Sequence, residues 1–108
     1  MIITLNYITM KLQMQSIHFD ADKKLLDFIQ KKLDKLETFY DRITEGDVYL
    51  RVETDDVKGN KSVHVKLFLP GTSVMAKEQA ASFEEAVDLV YENLKRQLQK
   101  TKEKMNSI

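Results

Sequence analysis

The chain has no cysteine and no tryptophan, a single proline and only three glycines in 108 residues. Without cysteine there is no disulfide framework and no thiolate metal site. No stretch approaches the roughly 20 apolar residues that span a bilayer, so no membrane partner is expected. The opening M-I-I-T-L-N-Y-I-T has neither the basic flank nor the long apolar run of a secretory signal, which makes the cytoplasm the expected compartment. Histidine is nearly as scarce: His18 and His64 fall on separate expected strands. No nucleophile motif, glycine-rich phosphate loop or metal-spaced cluster accompanies them. The residues thus point away from an enzyme, with no cofactor and no small-molecule substrate expected. Excess charge of one sign is also lacking, since 17 Lys and Arg balance 17 Asp and Glu. No global field draws the molecule to nucleic acid, and any such binding has to come from charge segregated along the chain.

What is present suits one modest domain. A content of 43% hydrophobic and 31% charged residues is ordinary for a globular chain of this length. There are no repeats, low-complexity tracts or Pro/Gly/Ser linkers. Gly46, Gly59, Pro70 and Gly71 fall where turns are wanted. Residues 1–9 read as an extension, weakly ordered or adding a strand, ahead of a single domain over residues 10–105.

Charge is segregated most clearly in the last expected helix, Ser82 to Lys104. Phe83, Ala86, Val87, Val90, Leu94 and Leu98 recur at three- and four-residue steps and form one apolar stripe. Ser82 stands three residues before Glu85, the spacing of a capping box. From Glu78 to Glu92 there are five acids and no base; from Asn93 onward Lys95, Arg96, Lys100, Lys102 and Lys104 face one acid, Glu103. Acids at a helix start and bases at its end suit the macrodipole, but that effect fades within a turn. Arg96 and Lys100, four apart, repel each other. A solvated charged tail and an anion-binding surface both fit this pattern.

Upstream, Lys11 to Phe19 alternates as a strand and shifts phase near Ser16, where a bulge is expected. His18 reads as a surface or edge residue at its end. Asp20 or Asp22 caps a helix that runs to about Tyr40, built on Leu25, Ile29, Leu33 and Leu36. Lys24, Lys31 and Lys35 share a stripe beside this apolar face. Asp27, Asp34 and Asp41 form a neighbouring stripe that reads as solvated, with Asp27 placed to pair Lys31. Lys32 falls inside the apolar face, either snorkelling at the core's rim or held stiffly for a partner.

Val48 to Glu53, Val63 to Leu69 and Ser73 to Lys77 alternate as half-buried strands, the last two joined at Pro70-Gly71. Tyr49, Arg51, Glu53, His64, Lys66 and Phe68 occupy the solvent face. Such a face can stack RNA bases or dock a protein. The order β-α-β-β-β-α, with one apolar face per element, predicts an α/β (α+β) two-layer sandwich, a four-stranded mixed sheet with both helices on one side. The first strand, the helix and the second strand form a parallel βαβ unit. Neighbouring helices add Lys24, Lys31, Lys32 and Lys35 to the cations at Lys95, Arg96, Lys100, Lys102 and Lys104.

Three collinear segments carry a family likeness: K-L-E-T-F-Y-D-R-I (35–43), V-Y-L-R-V-E (48–53) and L-K-R-Q-L-Q-K-T-K-E-K (94–104). From about Met10 to Lys104 the chain resembles the short ribosome hibernation promoting factors, also called ribosome-associated inhibitor A or sigma-54 modulation proteins. The resemblance implies a stress or stationary-phase factor that is monomeric off the ribosome. It would bind the small ribosomal subunit along 16S rRNA in the mRNA and tRNA channel and silence idle ribosomes. Lys32, Lys35, Arg96, Lys100, Lys102 and Lys104 match the family's basic positions. Lys95 falls where relatives vary, and Asn93 where they often carry lysine. Long members also have a C-terminal dimerisation domain that this sequence lacks, so ribosome pairing by this protein alone is not implied.

Overall fold

A computed structural model describes residues 10–54 and 59–106; the expected extension, Met1 to Thr9, lies outside them. The elements are β1 (Leu12–Ile17), α1 (Lys23–Asp34), a 3-10 turn (Lys35–Thr38), β2 (Glu45–Val52), β3 (Lys61–Leu69), β4 (Thr72–Ala80) and α2 (Phe83–Asn106). Strand order is β1-β2-β3-β4. β1 is parallel to β2, as a crossover through α1 requires, and the other pairs are antiparallel. This is the expected α+β arrangement.

Local chemistry sets the boundaries. Asp22 Oδ1 accepts the Leu25 N–H at 2.9 Å and starts α1, and Ser82 Oγ accepts the Glu85 N–H at 3.1 Å and starts α2. Both side chains satisfy an amide that has no partner within its own helix. Pro70 and Gly71 close the β3–β4 hairpin between Leu69 and Thr72, and Gly71 takes φ +77, a value that suits glycine.

The core lies between the sheet and the two helices. Ile29, Leu33 and Leu36 from the first helical segment, Val48, Leu50, Val63, Val65 and Leu67 from the sheet, and Val90, Leu94 and Leu98 from α2 are fully buried. Burial of each such side chain contributes about 1.5–3 kcal/mol. Phe19 stacks on Phe83, with centroids 4.8 Å apart, and joins the loop before α1 to the start of α2.

Four sequence expectations change. Gly46 lies inside β2, paired with Leu12 and Leu67, rather than in a turn. There is no bulge at Ser16: β1 pairs with β2 residue for residue from Leu12–Gly46 to Ile17–Arg51. The phase shift arises because the strand ends at Ile17 and His18 takes φ +70, which turns Phe19 inward to its stack. The α-helix stops at Asp34 and tightens into the 3-10 turn, so Phe39 and Tyr40 follow on irregular backbone. β4 reaches Ala80 rather than Lys77, leaving two residues before α2.

Candidate nucleic-acid interface

α1 and α2 lie side by side on one face of the sheet and run in the same direction. Two contacts show it: Lys32 reaches Asp88, Nζ to Oδ1 3.1 Å, and seven residues further along each element Lys95 Nζ lies 4.9 Å from the centre of the Phe39 ring. The end of the first helical segment therefore stands beside the middle of α2, where its sequence turns from acidic to basic.

That register decides which cations meet. Lys31 and Lys35 are exposed on the outward side of the first helical segment, close to Lys32. Lys95 and Lys102, seven apart, share the flank of α2 that faces it: Lys95 through Phe39, and Lys102 in a groove with Glu37, Phe39 and Arg42. Lys32, Lys95 and Lys102 thus line the seam between the two elements, and Lys31 and Lys35 stand exposed beside it. Lys24 lies eight residues before Lys32, about 12 Å back along the helix, level with the acidic start of α2.

The other flank of α2 faces β4. Asn93 Nδ2 donates to Glu78 Oε2 at 3.3 Å, and Gln97 Nε2 donates to the Met75 carbonyl at 2.6 Å. Lys100 and Lys104 follow these two residues by seven positions and share their flank, while Arg96 projects outward between the flanks. The cations of α2 are therefore spread over its outer half along about 13 Å, from Lys95 to Lys104, with exposed Gln99 and Glu103 among them. Among the described residues Lys24, Lys31, Lys35, Arg96, Lys100 and Lys102 make no ion pair. Such unneutralised charge is available to an external anion.

Lys32 is the exception. Its side chain is 26% exposed, and the ammonium lies between the Asp88 carboxylate and the Tyr91 ring, 4.9 Å from the ring centroid. The stem packs at the core's rim, as the snorkelling reading has it, and the charge is paired with a carboxylate of the chain itself. The expected Asp27–Lys31 pair does not form. Asp27 instead accepts from Lys23 at 2.8 Å, which leaves Lys31 to solvent. Asp34 is not simply solvated either. Its Oδ1 accepts the Met10 N–H at 3.0 Å and the Gln30 side-chain amide at 2.9 Å, and so ties the entry of β1 to α1.

Glu37 had no signal in the sequence. Its Oε1 is buried without a hydrogen-bond partner. Burial first, then the charges of Asp34 and Asp41, hold its carboxyl above the ordinary glutamate value. The 3-10 turn sets Glu37 over Asp34, beside the groove that Lys102 enters. Among the described residues no group of His, Cys, Asp or Glu is placed to hold a metal ion, and no helix is long and apolar enough to cross a membrane.

The chain is similar to several known proteins in sequence and fold. The chain is 31% identical over 99 residues to the ribosome hibernation promoting factor of Pseudomonas putida, covering 92% of this chain and 93% of that one. It is 32% identical over 95 residues to that of Azotobacter vinelandii, covering 88% and 85%. A ribosomal subunit interface protein from Coxiella burnetii superposes with a TM-score of 0.76 at 27% identity, over 86% of this chain and 98% of that one. The Protein Y N-terminal domain of Thermus thermophilus shares the fold, with a TM-score of 0.73 at 19% identity over the same shares. The model of the sigma 54 modulation protein / S30EA ribosomal protein family matches residues 12–106, and the chain belongs to that family.

Proposed function

We propose that this protein is a ribosome hibernation factor of the cytoplasm that binds the small ribosomal subunit through 16S rRNA. In this reading residues 10–105 are the ribosome-binding domain, and the molecule occupies the mRNA and tRNA channel as a monomer, silencing and preserving idle ribosomes. The observation that carries the reading is the seam, where Lys31, Lys32 and Lys35 meet Lys95 and Lys102 while Arg96, Lys100 and Lys104 extend the charge along α2. The names borne by the relatives in Pseudomonas putida and Azotobacter vinelandii support it.

The mechanism requires no covalent chemistry. Lysines and arginines that neutralise phosphates release condensed counterions, and this release supplies most of the affinity. Arg96 can fork across two phosphate oxygens, which a lysine cannot. A sandwich with a fully buried core keeps its shape on binding, so the domain blocks the space that it fills. Co-sedimentation with isolated small subunits tests the reading. The wild type is expected to pellet and an Arg96→Glu/Lys100→Glu variant, its fold checked by circular dichroism, to stay in the supernatant. Equal pelleting of the two proteins discards the proposal.

A further inference from the structure

The helices cover one side of the sheet and leave the other open, and the two surfaces differ in kind. By strand alternation the open side carries Tyr49 and Arg51 from β2, His64, Lys66 and Phe68 from β3, and Met75 and Lys77 from β4. Its rings stand on the two central strands. Tyr49 and His64 are direct cross-strand partners, with ring centroids 5.9 Å apart and planes tilted by 43°. His64 is in turn opposite Lys77. The rings floor a shallow concavity rimmed by Ile17, Arg51, Ser62 and Lys77. Tyr49 is 36% exposed and Met75, whose sulfur lies 3.4 Å from His64 Nε2, is 51% exposed.

The charges here are arranged unlike those of the helices. Over the whole face Lys11, Arg51, Lys66 and Lys77 are nearly balanced by Glu45, Asp47 and Glu53, so phosphate attraction alone is a weak driving force. At the concavity the balance is different. Arg51 and Lys77 flank the ring pair, and Glu53, the one carboxylate there, is held 3.7 Å from the Arg51 guanidinium. Flat rings edged by two cations suit a ligand that offers a π-face and one or two anionic groups.

We propose that the open sheet face is a second RNA contact, which takes unpaired bases of single-stranded RNA on Tyr49 and His64 while Arg51 and Lys77 hold the adjoining phosphates. The proposal relies on the ribosome reading only for the identity of the polymer. It divides the labour between the layers, with phosphates on the helices and bases on the sheet, so one molecule can hold two RNA segments on opposite sides.

The test is a titration of fluorescently labelled single-stranded hexa-adenylate RNA with the full chain. Binding is expected, and Tyr49→Leu should weaken it about tenfold through the lost stacking platform, while Tyr49→Phe keeps it. The Arg96→Glu/Lys100→Glu variant should still show the amide shifts on β2, β3 and β4 when the hexamer is added, even where it no longer pellets with small subunits, so the two proposals fail separately. Amide shifts of the wild type on adding the hexamer should fall on β2, β3 and β4, and this readout does not depend on any variant folding. The proposal is overturned if no binding occurs, if Tyr49→Leu binds as tightly as the wild type, or if the shifts fall on α2. It is equally overturned if the face instead mediates self-association that Tyr49→Leu abolishes, with no RNA bound.

Discussion

Lys32 of α1 and Asp88 of α2 form the one ion pair between the two helices among the described residues, Nζ to Oδ1 3.1 Å. The pair sits within the seam, and in the proposed reading it sets a carboxylate against a lysine that would otherwise meet phosphate. Asp88 is 55% exposed, and pairs this open to solvent contribute only about 0–1 kcal/mol to stability. Asp88→Asn is therefore expected to leave the thermal midpoint within a few degrees of wild type. It should raise affinity for small subunits, since Lys32 is released and a repulsive charge is lost. Weaker binding of Asp88→Asn in a filter or sedimentation assay would show that Asp88 orients Lys32 rather than competing for it.

Glu37 gives a pH-dependent prediction with a definite sign. Its folded-state carboxyl titrates above the ordinary value of 4.5, chiefly because it is buried. Above that raised value the folded protein carries an ionised carboxylate in a poor environment, whereas the unfolded chain solvates it freely. Folding therefore gains stability as the pH falls through the raised value towards 4.5, where the unfolded chain also protonates. Glu37→Gln, which is neutral at every pH, should unfold at a higher temperature than wild type at pH 7. The difference should shrink on acidification and be lost below pH 4.5. A gain that does not change with pH would mean that packing, not charge, is responsible.

Most of the fold was legible because every element carries one apolar face at a clean period. The stripe from Phe83 to Leu98 and the alternation of Val63, Val65, Leu67 and Leu69 each have one buried solution, and the two layers follow. The misreadings occurred where backbone conformation, rather than side-chain pattern, decided the outcome. At His18 a single left-handed residue imitates the phase slip of a bulge. After Asp34 a 3-10 turn sets Glu37 over Asp34, and helical periodicity carries no sign of it. That neighbouring helices bring their cations together was expected from the sequence, but which of them stand level with one another was not. That Lys31, Lys32 and Lys35 meet Lys95 and Lys102, while Lys24 stands apart, depends on the parallel register of two elements joined through three strands.

Gly59 is the glycine whose replacement should cost most. Its φ is +87, and a Cβ there would lie 2.3 Å from backbone atoms of Ala80 and Ala81. Backbone cannot yield as a flexible side chain can. The left-handed conformation adds about 1–3 kcal/mol of strain for any other residue. Gly59→Ala should therefore lower the urea midpoint sharply, with a loss of roughly 3 kcal/mol or more. Gly71→Ala, equally left-handed but with open space around it, should cost only the conformational strain. Similar losses at the two sites would show that the close approach of Gly59 to the end of β4 has no energetic weight.

The salt dependence of small-subunit binding reports how many cations meet phosphate. If about six side chains of the seam and of α2 each neutralise one, log K falls against log salt concentration with a slope of roughly −4 to −5. Replacing a single unpaired cation, as in Lys35→Ala or Lys100→Ala, should make that slope shallower by about 0.7–0.9. Lys24→Ala, about 12 Å from the seam, should leave it unchanged, and Asp88→Asn should steepen it by about as much as one lysine, because Lys32 joins the set. A slope that is equally shallow for the wild type and every variant would assign the affinity to uncharged contacts and remove the electrostatic account of binding.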